Sequence, residues 1–129
     1  MILPLAIMYT PLPPVPFPDE FQGAWDENTY ACSRAVTPSR LAISESHFLQ
    51  RQFQGYSTSV KHLNSKVIVV DMIGGCSQKV KPSIQRLELS EDGDTLFVQS
   101  YSKTERTGDV TARIFVRCPD QEKALEGLL

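Results

Sequence analysis

Lys66-Val67-Ile68-Val69-Val70-Asp71-Met72-Ile73 is a nearly continuous run of apolar, mostly β-branched residues, closed by Gly74-Gly75. Eight residues of this kind, punctuated by a glycine pair, suit a strand better than a helix. Because the run does not alternate with polar residues, both of its faces are expected to be covered, which places it at the centre of the fold. Reading outward towards the N-terminus, Asn64-Ser65 is a turn leading back to a strand at 56–63, and Gly55 separates that strand from another at 47–54. Phe48 and Phe53 are the large apolar members of the 47–54 strand. Ser44-Glu45-Ser46 turns the chain into a segment at 40–45, where Leu41 and Ile43 share a face, and 21–25 is the first strand. On the other side come strands at 83–89, 95–102 and 110–118. Ser90-Glu91-Asp92-Gly93-Asp94 is a hairpin loop in which Gly93 can adopt positive φ. The last strand alternates, with Ala112, Ile114 and Val116 on one face and Arg113, Phe115 and Arg117 on the other.

Eight strand candidates joined by mostly short loops define an all-β class: an antiparallel meander of about eight strands, either a closed barrel or barrel-like. Closure is the arrangement that removes both exposed edges. A two-sheet sandwich is the alternative. An eight-strand barrel is either packed by its own side chains or holds one small ligand. Filling by Phe48, Ile68, Val70, Leu87, Leu89 and Ile114 would argue against a ligand.

The chain has 129 residues, enough for one domain. With 41% hydrophobic and 22% charged residues it matches neither a disordered chain nor a membrane bundle. A net charge of -2 supplies no overall basic field for nucleic acid. Residues 1–18 form an apolar, proline-rich N-terminal arm or the remnant of an export signal; the apolar stretch 1–8 is too short to span a bilayer, which rules out an integral helical segment there. Residues 9–18 read as an extended, polyproline-like linker. The single barrel-like domain covers 19–118. A C-terminal helical tail at 119–129 opens on Pro119 and Asp120 and stops at Gly127.

Cys32, Cys76 and Cys118 allow three single disulfides, each leaving one thiol over. If Asp26-Glu27-Asn28 turns the chain back beside the first strand, Cys32 lies near that strand's start. The end of the last strand of a closed, even-numbered barrel lies there too, so Cys32–Cys118 is the favoured pair. The alternative is three reduced, buried cysteines in a cytosolic domain; the sequence leaves the state of Cys76 open.

Phe21-Gln22-Gly23-Ala24-Trp25 with Cys32, Leu41-Ala42-Ile43-Ser44, Asp92-Gly93-Asp94-Thr95-Leu96 and Phe115-Val116-Arg117-Cys118 together resemble a group of uncharacterised small exported bacterial β-domain proteins. In that group a G-x-W with a following cysteine opens the domain and an aromatic-x-Arg-Cys closes it. The resemblance implies a periplasmic or secreted β-domain with a first-to-last cysteine pair. Gly23 and Trp25 are also similar to the G-x-W of lipocalin and other calycin barrels, where the tryptophan packs across one end.

Enzyme motifs are scarce. The chain lacks a Gly-rich phosphate loop, G-x-S-x-G, H-E-x-x-H and C-x-x-C, so no cofactor or metal is expected and no catalytic residue is assigned. His47 and His62 lie on neighbouring predicted strands and could approach one another, but no orienting acid is evident. Asp92 and Asp94 lack the downstream glutamate of a calcium loop and read as turn residues. Lys79, Lys81, Arg86, Arg113 and Arg117 form a basic face if the strands lie as expected, with Phe115 available for stacking. The expectation is a non-enzymatic, exported binding module for a small ligand, with Trp25 and Phe21 at the barrel mouth as contacts. The alternative is a protein-binding module, such as a secreted inhibitor or envelope assembly factor. It would work through an uncovered edge strand or an exposed loop, for which 102–110 is the candidate.

Overall fold

The computed structural model describes residues 13–35, 37–76, 79–102 and 110–126. Eight strands close into one antiparallel barrel in chain order: β1 (Gly23–Asp26), β2 (Leu41–Ile43), β3 (His47–Gln50), β4 (Phe53–Asn64), β5 (Val67–Cys76), β6 (Lys79–Leu89), β7 (Thr95–Ser102) and β8 (Val110–Arg117). Two short helices are added, α1 (Thr29–Ser33) and α2 (Gln121–Glu126), and a 3-10 turn at Asp19–Phe21 precedes β1. Asn28 starts α1 because its side chain accepts a hydrogen bond from the Ala31 N–H, satisfying a donor the first turn leaves open.

The apolar stretch that decides the fold becomes β5, flanked by β4 and β6. Ile68, Val70 and Met72 point inward and are buried, while Val69 and Ile73 on the outer face are half-buried, so only one face is fully covered. Opposite them Leu87, Leu89, Leu96, Val98 and Phe115 fill the interior, with Leu41, Ile43 and Phe48 from the short strands. A buried Gln85 side chain is satisfied inside by Ser83 and Ser100.

Two turn expectations are corrected. Gly55 and Gly74-Gly75 do not end strands: β4 starts at Phe53 after a turn at Arg51-Gln52, and β5 runs on to Cys76. Gly55 and Gly74 face each other across the β4–β5 ladder, and a Cβ on Gly74 would meet Gln54 O at 2.5 Å and Phe53 Cζ at 2.9 Å. The missing side chains leave room for the Phe53 ring, which packs edge-on against Phe48 with centroids 6.0 Å apart. On β8 the alternation is as read but the inside is the Phe115 face, and Ile114 is 61% exposed.

The barrel is uneven. β4, β5 and β6 have 12, 10 and 11 residues, whereas β1, β2 and β3 have four, three and four. Closure of β1 on β8 rests on Trp25 opposite Arg117 and Asp26 opposite Val116. Side chains complete this short ladder: Gln121 Oε1 accepts from Ala24 N at 2.6 Å, while its Nε2 donates to Ala24 O and Cys118 O. Cys32 and Cys118 form a disulfide across a sequence separation of 86 residues, packed with Ala24 and Ala124 beneath the two helices.

Candidate functional site

Trp25 and Phe21, the expected ligand contacts, lie inside the barrel with no exposed surface. The Trp25 indole donates to Phe21 O at 3.1 Å, and the Arg117 guanidinium sits 4.2 Å from the centre of the ring. The same guanidinium donates to Gln22 O at 2.9 Å, Glu20 O at 2.8 Å and Gly93 O, stitching the 3-10 turn and the β6–β7 turn across this end. Burial lowers the Arg117 pKa, partly opposed by Asp94, from an ordinary value high enough that it stays cationic. Gly23 of the G-x-W stretch has φ +129°, and a Cβ there would lie 2.7 Å from Gln121 Oε1 and 3.2 Å from Arg117 Nη1. The motif therefore describes a plug. Phe17, also buried, completes it, and residues 13–18 lie on the barrel rather than merely leading to it: Val15 N donates to Ser57 O and Phe17 N to Glu45 O.

Of the six residues named as filling the barrel, Phe48, Ile68, Val70, Leu87 and Leu89 do so. Trp25 and Phe21 line none of the cavities described below.

Beneath the helices lies a polar cluster that sequence reasoning did not foresee. Arg40 and Asp26 are both fully buried, with Nε 3.1 Å from Oδ2. The remaining guanidinium hydrogens go to Ala31 O, Arg34 O, Ala35 O and Ala124 O, capping the ends of both helices. Asp26 also accepts from Ser39, Thr37 and the Glu27 N–H. Burial alone would raise the Asp26 pKa, but the Ser39, Thr37 and backbone bonds, with the Arg40 charge, outweigh it and hold the carboxyl below its ordinary 3.8. Every donor and acceptor is used, which marks the cluster as structural.

Two surfaces carry groups the fold leaves unused. The first is the edge of β4. β3 ends its pairing at His47 opposite Tyr56, yet β4 continues to Asn64. Beyond Tyr56, β5 supplies one neighbour, and on the other side the backbone partner among the described residues is Val15 N at Ser57 O. Register shifts occur between Ser57 and Ser59 and between His62 and Asn64. Val60 packs inward, whereas Thr58, Ser59, Lys61, His62 and Asn64 are exposed and Leu63 is 51% exposed. The 12 residues of β4 include no carboxylate.

The second surface is the end of the barrel away from Trp25, at the β3–β4 turn and the β5–β6 hairpin. A cavity of about 670 Å³ is lined by Arg51, Gln52, Gln54, Gly75, Cys76 and Val80. A second, of about 250 Å³, shares Arg51, Gln52 and Cys76 and adds Pro38, Gln50 and Phe53. Cys76 is a free, exposed thiol. Gln50 accepts from Arg113 Nη2 at 2.7 Å, and Arg113 lies 5.5 Å over the Phe115 ring.

The expected basic face does not assemble. Arg117 belongs to the plug, Arg86 pairs with Glu88 at 3.0 Å on the outer wall, and Lys79, Lys81 and Arg113 lie towards the end that carries Cys76. The histidines stay apart as well. His47 is opposite Tyr56 and His62 opposite Ile68, six positions along β4 or about 20 Å by strand rise. Asp92 accepts from Ser90 Oγ and Asp94 N, as a turn residue does, and those bonds lower its pKa. Among the described residues no group of three metal-ligating side chains occurs, and no helix is long and apolar enough to cross a membrane. The candidate loop 102–110 lies, at 103–109, outside the described residues. No family model, curated protein or solved structure matches this chain.

Proposed function

We propose that the protein is an exported, non-enzymatic module that binds another protein by adding one of the partner's extended segments to the free edge of β4. The observation that carries this reading is the length mismatch between β3 and β4, which leaves 58–64 with strand geometry and, among the described residues, a strand neighbour on one side. Such an edge presents unpaired N–H and C=O groups that an incoming strand completes, and its side chains select which strand is accepted. Lys61, His62 and Lys66 at the adjoining turn, with no carboxylate on β4 itself, favour an acidic segment. A packed interior supports surface recognition over enclosure of a ligand next to Trp25. The Cys32–Cys118 disulfide supports an oxidising compartment, periplasmic or extracellular.

The test is photo-crosslinking in the native host from a crosslinking amino acid placed at Leu63, with Ile114 on the opposite wall as the control. The expected result is one protein captured from position 63 and not from 114, by a segment rich in Asp or Glu, and lost in the Lys61→Glu/His62→Glu variant. Equal capture from both positions, or capture indifferent to the charge reversal, would contradict the reading.

A further inference from the structure

We infer that the end of the barrel where the β3–β4 turn meets the last residues of β5 and the first of β6 is a binding site for a small organic oxyanion, a molecule bearing a carboxylate or phosphate group. This site is independent of the β4 edge. The two cavities there adjoin, sharing Arg51, Gln52 and Cys76, and among the described residues neither is lined by an acidic side chain. Among the described residues the charge on this lining is therefore cationic, on a chain whose net charge is -2.

The donors are of the right kind. Arg51 makes no ion pair or hydrogen bond within the described residues, leaving its planar fork available to an oxyanion in the two-point fashion that guanidinium favours. Arg113 reaches the same depression through Gln50, to which it donates at 2.7 Å, and its stacking on Phe115 holds the guanidinium in place. Gln52 and Gln54 add amide donors, while Phe53 and Val80 supply apolar walls for the organic part of the ligand. Lys79, opposite Cys76 in the hairpin register, adds a further positive charge at the rim.

The Cys76 thiol lines both cavities and so reports their occupancy. The experiment is the rate of Cys76 alkylation by iodoacetamide, read by mass spectrometry on the oxidised full chain. Inorganic phosphate and citrate are added separately, against sodium chloride of matched ionic strength. A ligand at four times its dissociation constant leaves one site in five open, so alkylation is expected to slow about fivefold. Protection by phosphate alone assigns a phosphate ester, protection by citrate alone a carboxylate, and protection by both the shared oxyanion chemistry. Arg51→Gln and Arg113→Gln are expected to abolish the protection, with the melting temperature showing that each variant is folded; Arg86→Gln and Lys61→Glu are expected to retain it. An unchanged alkylation rate with both anions, or protection that survives the loss of both arginines, would overturn the site and leave the β4 reading untouched.

Discussion

The side of the barrel where β1 meets β8 and the wall built by β4, β5 and β6 solve the same problem by different means. The wall is held by backbone: ladders run from Gln54 opposite Gly75 to Asn64 opposite Val67, and from Val67 opposite Glu88 to Cys76 opposite Lys79. At the seam, where strands of three or four residues offer little ladder, a disulfide, a buried ion pair with every polar atom satisfied, a glutamine that completes the ladder and an arginine stacked on Trp25 take over. Recognition has room where groups are not already spent on the fold. At the seam the buried polar side chains are committed to the fold, whereas the long wall has, among the described residues, backbone left over at one edge.

The comparison can be broken at the seam first. Replacing both cysteines (Cys32→Ser with Cys118→Ser) is expected to lower unfolding free energy by about 4–5 kcal/mol in the loop-entropy account, measured by urea unfolding at neutral pH. A negligible loss would mean that the short ladders hold the seam unaided. Next is Asp26→Asn, which leaves the Arg40 charge buried without its partner and is expected to cost about 3–5 kcal/mol at pH 7.

Asp26 also dictates a pH dependence. Its pKa is lower folded than unfolded, so its stabilisation is complete above the unfolded value, about 3.9, and is lost as pH falls through the folded one. Thermal melts from pH 7 down to pH 2 are expected to show the wild type losing stability below about pH 4, with a shallower acid slope in the Asp26→Asn variant. Equal slopes would remove Asp26 from the account.

Smaller effects sharpen the contrast. Arg117→Met gives up charged hydrogen bonds to Gln22, Glu20 and Gly93 together with the stack on Trp25, and a loss of about 2–3 kcal/mol is expected in the same urea assay. At the other extreme, Lys61→Glu on the exposed edge is expected to change stability by no more than about 0.5 kcal/mol. A large loss from Lys61→Glu would show that the edge is already part of the packed structure.

Much of this architecture was legible in the sequence, and what was not has a physical cause. The eight-strand meander follows from turn spacing and β-branched runs, which leave a two-sheet sandwich open beside the favoured barrel; the favoured Cys32–Cys118 pair follows from the parity of a closed meander, and the C-terminal helix from Pro119, Asp120 and Gly127. The turn at Arg51-Gln52 carries no glycine or proline and was hidden by Gly55, whose role is to clear space for Met72 and Phe53 rather than to bend the chain. Periodicity told which residues of β8 share a face but not which face is inside, hence the reversal of Ile114 and Phe115. Of the candidate sites, Trp25 and Phe21 were legible as an aromatic pair and are buried at one end of the barrel, but an aromatic pair that plugs a barrel and one that lines a pocket have the same sequence pattern. The β4 edge and the Arg51 cavities depend on where β3 stops and on which turns lie at one end, which are properties of register. The Asp26–Arg40 pair left no signal because Arg40's other partners are backbone carbonyls, which every residue possesses, and Asp26's are a backbone N–H and the common hydroxyls of Thr37 and Ser39.

The most direct measurement is amide hydrogen exchange, residue by residue, on the isolated oxidised protein. Along β4 the account predicts alternation beyond Tyr56: amides bonded to β5 exchange slowly, and those facing away between 58 and 64 exchange at nearly unprotected rates, while β5 is protected throughout. Uniform slow exchange from 58 to 64 would mean that another strand already covers this edge and would contradict the claim that β4 is open for recognition.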